Sequence, residues 1–298
     1  MSPLLIPEES KIHEMRPLIV LGMHRSGTSL ATRLLTDAGM HMGSWLSRDA
    51  EAVHFQRLNR RILGSVGARW GEVDSLVQAV RSKEFVEQQA RAVQQALVRR
   101  WRFYDRNPVI VNFFGRQLWQ QVCRDDSLAW GWKDPRTAIT LPIWIQVFPH
   151  ARWLHVLRNG IDVTISVHRR SLKQQRKLRN RVFPIDYSPR TLAFAYSFRL
   201  WETYVSSILE HKNQIPPDQY LEMRYEDLLA TPERELRRVT DFAGHSVGKD
   251  VLAAACQRID RSRLDNSAFA ADYRELIPAL SASPLLMQLG YNHNQTWE

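Results

Sequence analysis

A short apolar run, Leu18–Leu21, leads straight into Gly22-Met23-His24-Arg25-Ser26-Gly27-Thr28-Ser29, and a helical stretch follows from about Ser29 to Ala38, closed by Gly39. A strand, a glycine-bearing turn and a helix N-terminus in that order offer free backbone N–H groups and a positive dipole end to an anion. Arg25 adds a fixed charge inside the turn. A second constellation closes the apolar run at 152–158: Arg158-Asn159-Gly160-Ile161-Asp162, with Ser166 two helical turns later. An Arg at the end of a strand and a Ser on the next helix can converge on one phosphate, the first as a planar fork and the second as a hydroxyl donor.

The spacing of Gly22 and Gly27 equals that of a nucleotide-binding P-loop, G-x-x-x-x-G-K-[ST]. Here Thr28 stands where that motif has lysine. Without the lysine, nothing in the loop reaches a β/γ-phosphate in the usual way, which counts against a kinase or NTPase. Arg25-Ser26-Gly27-Thr28-Ser29 instead resembles the 5′-phosphosulfate loop of sulfotransferases that use 3′-phosphoadenosine-5′-phosphosulfate (PAPS). The Arg form of the loop is similar to that of protein-tyrosine and bacterial sulfotransferases. Arg158 and Ser166 then match the family's 3′-phosphate site.

Three further segments follow the same resemblance, which spans about residues 18–243. Trp132-Lys133-Asp134-Pro135-Arg136 resembles the Lys-Asp-Pro segment whose lysine approaches the transferred sulfonate. Arg224-Tyr225-Glu226-Asp227-Leu228 resembles the late Tyr-Glu-Asp segment, which implies that Tyr225 lies near the adenine. Glu51, followed by Phe55 and Leu58-Asn59, matches the segment where bacterial members carry an acidic base, although the usual Gly-aromatic-Phe-Glu form is missing. The resemblance implies a PAPS-dependent sulfotransferase with 3′,5′-ADP as nucleotide product, no required metal, and a hydroxyl acceptor (glycan, lipid or small metabolite); the basic segment at 169–190 makes an anionic acceptor one expectation. Arg25, Ser26, Gly27, Thr28, Ser29, Arg158, Ser166 and Tyr225 would bind the nucleotide. Arg25 would act as a fixed charge, and Lys133 would neutralise the sulfonate or the bridging oxygen. Glu51 is the preferred general base. His54, three residues on and on the same helix face, is its rival; His24, inside the loop, is a third candidate base whose expected role is to orient the loop or contact substrate.

The elements that must hold these residues read as alternating strands and helices. LIVLG at 18–22, VIVNF at 109–113, AWGWK at 129–133, RWLHVLR at 152–158 and QYLEMRYE at 219–226 are the expected strands. Val86, Ala90, Val93, Leu97, Trp101 and Tyr104 step along one face of an amphipathic helix, and 191–210 and 232–243 read as helices. The expectation is a single α/β domain with a central, mainly parallel sheet flanked by helices. Its core spans about 16–245, with a basic helical insertion or lid at about 169–190 and an extension at 246–298. Trp119, Trp130, Trp132, Trp144, Trp153 and Trp201 sit in core-like contexts, whereas Trp45 is a candidate for the acceptor cleft.

Composition narrows the function classes. The 298 residues, 44% hydrophobic, can bury a sizeable core. No apolar run approaches the roughly 20 residues of a membrane span, and the N-terminus lacks a signal-peptide pattern, which points to a cytoplasmic protein. Two cysteines make neither a disulfide framework nor a four-ligand zinc site. The net charge of +10 is concentrated: Arg169, Arg170, Lys173, Arg176, Lys177, Arg179, Arg181 and Arg190 face one acid, Asp186, between 169 and 190. Such a run draws anions. A nucleic-acid binder would pair it with more aromatics than Phe183 and Tyr187, so no nucleic-acid partner is expected. The alternative enzyme is a P-loop kinase using ATP and Mg²⁺.

Overall fold

Leu18–Leu21 (β1) is buried along its whole length and packs on both faces, as expected of an inner parallel strand. In the computed structural model, which describes residues 7–99, 107–124, 128–179, 187–257, 259–260 and 271–291, β1 is joined by Gly131–Lys133 (β2), Arg152–Leu157 (β3) and Tyr220–Arg224 (β4). The sheet order is β2-β1-β3-β4, and every pairing is parallel. Ile19 lies opposite Trp132 and Trp153, and Leu157 opposite Arg224. All four strands therefore end at the same edge. The chain leaves β1 for β2 on one side and β3 on the other, so the order reverses at β1. Ligands of open parallel sheets sit in the crevice at such a reversal, outside the strands' carboxyl ends.

Alternation along β1 sorts its side chains between two cores. Ile19 and Leu21 face a large aromatic cluster with Phe55, Phe113, Trp132, Trp144 and Phe148, in which Phe55 stacks on Trp132 with centroids 4.4 Å apart. Leu18 and Val20 face Leu34 and Leu35 of the Thr28–Asp37 helix and Leu236 and Val239 of the Pro232–Phe242 helix. The six tryptophans assigned to the core are buried, and Trp45 is half-exposed.

VIVNF is not a strand. Residues Val109–Phe114 form a helix that starts after Pro108 and ends at Gly115 with φ +76°. A short buried apolar run carries no periodicity that separates strand from helix, and four of these six residues are buried. The amphipathic helix covers Lys83–Val98. Trp101 and Tyr104 lie outside the described residues. The basic segment, as far as it is described, continues the Gly160–Arg179 helix that also carries Ser166. After β4 the chain returns to it: Arg224 donates to the Leu289 carbonyl at 2.5 Å, and the Tyr291 hydroxyl donates to Glu226 at 3.2 Å. Among the described residues, no helix is long and apolar enough to cross a membrane.

Candidate active site

β1 leaves the sheet at Gly22, where φ is +140° and an added Cβ would lie 2.6 Å from the Val156 carbonyl. Only glycine fits so close to the neighbouring strand. The turn then closes at Gly27 (φ +94°), the N-cap of the Thr28–Asp37 helix, and a Cβ here would run into the Tyr225 ring. Arg25 itself is held at φ +74°. Its Nε donates to Ser166 Oγ at 2.9 Å. Arg158 donates to the Arg25 carbonyl at 3.3 Å, lies 3.5 Å from Asp162 and covers the Tyr225 ring at 4.6 Å. The loop, the Arg158/Ser166 pair and Tyr225 thus meet at one place, from three parts of the chain.

A second, more deeply buried group adjoins them. The Ala52 N–H donates to the Lys133 carbonyl at 3.1 Å, which fixes Glu51 beside the end of β2. Lys133 Nζ donates to Ser29 Oγ at 3.2 Å and to the Asp49 carbonyl at 2.5 Å, and lies 3.9 Å from Glu51. Arg136 pairs with Asp134 at 2.8 Å and Glu51 at 3.5 Å, and the Gln56 amide donates to Glu51. His24 Nδ1 stands 4.0 Å from Glu51, its ring 4.7 Å from that of Trp70.

Burial sets the protonation balance of this group. It raises the Glu51 carboxyl, helped by Asp134 and opposed by Lys133 and Arg136. It lowers Lys133 to about 8 against the pull of Glu51, Asp134 and Asp49. His24 is pushed well below its ordinary value, by burial first and then by Arg136, Arg170, Lys133 and Arg25, so its imidazole is neutral.

Both groups open into one cavity of about 1040 Å³. Arg25, Gly27, Thr28, Ser29, Glu51, Lys133, Arg158, Ser166 and Tyr225 all line it. Ser26, in the same loop, is buried and does not line the cavity. His54 and Trp45 do not line the cavity; they pack against each other with ring centroids 6.0 Å apart. Sequence reasoning missed Asp49, Arg136 and Arg170 as site residues. Arg136 stood inside the Lys-Asp-Pro-Arg segment and could have been read from it; the Asp49 carbonyl left no signal.

A family model described as "Sulfotransferase family" matches residues 17–248. The chain belongs to the sulfotransferase family. A mycobacterial sulfotransferase relative, omega-hydroxy-beta-dihydromenaquinone-9 sulfotransferase Stf3 of Mycobacterium tuberculosis, is 27% identical over 118 residues, 38% of this chain and 28% of that protein. An uncharacterized protein of Aquifex aeolicus is 24% identical over 76% of this chain and 25% of its own length. The chain spans about a quarter of the length of these curated relatives. Among solved structures, the sulfotransferase domain of the Synechococcus PCC 7002 olefin synthase aligns with a TM-score of 0.50 at 20% identity, covering 92% of each chain. Sulfotransferase STF9 from Mycobacterium avium aligns at 0.53 and 18% identity, over 95% of this chain and 78% of that one. The parallel four-stranded sheet is therefore a sulfotransferase fold, and the glycine loop, Lys133 and Arg158 all lie within the matched residues.

Proposed function

We propose that the protein is a sulfotransferase that moves a sulfonyl group from PAPS to an acceptor hydroxyl. The observation that carries this reading is the placement of a glycine-formed anion cradle, the Arg25–Ser166–Arg158 cluster and the Lys133–Glu51 pair on one cavity. The residues suit the donor: Gly27, at positive φ, opens the Thr28–Asp37 helix at the cavity, and Arg158 Nε is buried without a hydrogen-bond partner among the described residues. When bound, PAPS supplies a sulfonyl group whose bond to the phosphate oxygen breaks as the acceptor oxygen bonds to sulfur.

The chain's own groups divide that work. Arg25 and the first N–H groups of the Thr28–Asp37 helix hold the 5′ anion. Arg158 and Ser166 hold the 3′-phosphate, with Tyr225 supporting the Arg158 guanidinium. Lys133, protonated, balances charge on the leaving oxygen. Glu51, raised by burial, takes the hydroxyl proton, and the neutral His24 borders it. His54, turned into a packed contact with Trp45, is not assigned to catalysis.

Calorimetric titration with 3′,5′-ADP and with ADP, each with and without Mg²⁺, tests the assignment. A micromolar, metal-independent preference for 3′,5′-ADP is expected. Arg158→Ala and Ser166→Ala should each weaken it by about 10–100-fold, the scale of a hydrogen bond to a charged group. A preference for ADP with Mg²⁺ would instead place the chain with P-loop kinases.

A further inference from the structure

The Gly160–Arg179 helix carries more positive charge than the donor reading uses. After Asp162 it holds no acid, and Arg169, Arg170, Lys173, Arg176, Lys177 and Arg179 follow in sequence. Ser166, Arg169, Lys173 and Arg176, spaced three, four and three apart, share one helix face, and all four line the cavity. At about 1.5 Å per residue, that face runs about 15 Å from Ser166 to Arg176. Arg169, Lys173 and Arg176 are exposed. No ion pair reaches Lys173 or Arg176 among the described residues. Like charges one turn apart repel along a helix, so an anion bound beside Lys173 and Arg176 would offset that repulsion.

The rest of the cavity fixes where that anion belongs. Of the four lining acids, Asp162 faces Arg158, Glu51 faces Lys133 and Asp49 faces Arg170 at 3.7 Å, so these three are turned to other cations; Asp260 is the fourth. Arg170 ties the helix to the Asp49 segment and hence to Lys133, which brings the row alongside the transfer groups rather than behind the nucleotide. Arg33 donates to the Arg48 carbonyl at 2.7 Å, and both arginines line the same cavity. At about 1040 Å³ the cavity lies at the top of the range of about 300–1,000 Å³ for single small-ligand sites, leaving room beside a nucleotide.

We propose that Arg169, Lys173 and Arg176 form an acceptor subsite for a phosphate or sulfate group that the acceptor itself carries. The inference rests on the sulfonyl-transfer reading above and adds the acceptor's chemical class: a hydroxyl compound already bearing a strong anion.

Inorganic tripolyphosphate, added to the protein saturated with 3′,5′-ADP, is the probe. One saturable site per chain is expected, about tenfold or more weaker in the Lys173→Ala/Arg176→Ala double variant and restored by Lys173→Arg/Arg176→Lys. The affinity of the double variant for 3′,5′-ADP should stay within about twofold of wild type. Absence of a saturable site on the loaded protein would overturn the proposal. So would an equal loss of 3′,5′-ADP affinity, which would give the row to the donor. Tighter, steeply salt-dependent binding of a single-stranded DNA oligonucleotide would overturn it in favour of nucleic acid. Failure of the wild type to bind 3′,5′-ADP is read separately. It removes the donor assignment, and with it the acceptor role, whatever tripolyphosphate does.

Discussion

Glu51 is held by four neighbours of mixed charge, and its usefulness depends on their balance. Arg136 and Gln56 fix one carboxylate oxygen, while the other is left towards Lys133 and His24. Glu51→Gln keeps the shape and removes the base; turnover should fall by about 10²–10⁴-fold with 3′,5′-ADP affinity retained. The pH profile of the proposed transfer, with Glu51 as base and Lys133 as cation, follows from the two shifted groups. Glu51 acts as a base only when ionised, and its raised value places the acidic limb of kcat/KM above the ordinary glutamate range. Lys133 acts only when protonated, so kcat/KM falls as pH rises through about 8. A bound anionic donor favours the charged lysine, and the basic limb of kcat should lie higher than that of kcat/KM. Coincident limbs would remove Lys133 from the donor site.

At the scale of elements, the end of β2 and the helix that follows it are positioned by one helix distant in sequence, Val53–Ser65. Asn59 donates to Asp134 at 2.9 Å and to Thr137 at 3.0 Å, and accepts from Thr140 and Trp144 at 2.7 and 2.8 Å. Its amide is fully engaged inside the core. Asn59→Ala leaves several buried polar groups short of a partner and should destabilise the protein by about 2–4 kcal/mol, seen in thermal or denaturant unfolding. The sequence showed Asn59 only as part of a motif. What it disclosed well was local: the apolar run, glycine turn and helix around Arg25, and the strand end at Arg158 with Ser166 downstream, because each rests on neighbouring residues and a fixed period. The pairing of Glu51 with Lys133 needs the Ala52–Lys133 backbone bond, and the Asp49 carbonyl needs a loop that folds back onto β2; neither leaves a periodic trace. The 109–113 run misled for the converse reason, since burial on all sides erases the alternation that marks a strand.

Across the whole molecule, the proposed donor site gathers its parts from the first strand, the third strand with its helix, and the chain after the last strand. Arg25 and Ser166 are 141 residues apart, and the Gly27 turn lies against the Tyr225 ring. A ligand held by such distant parts binds the folded state and not the unfolded one. At a hundred times its dissociation constant, 3′,5′-ADP should add about 2.7 kcal/mol of stability, and the melting temperature should rise with nucleotide concentration in a scanning-fluorimetry series. The Gly27–Tyr225 contact also sets an order on biosynthesis. A nascent chain that has emerged only through the third strand possesses the glycine turn and the arginine at the strand end, yet lacks the aromatic ring that seats the turn. Nucleotide capture on the ribosome should therefore wait until residue 225 has cleared the exit tunnel, and any chain terminated before it should be synthesised without ever loading donor.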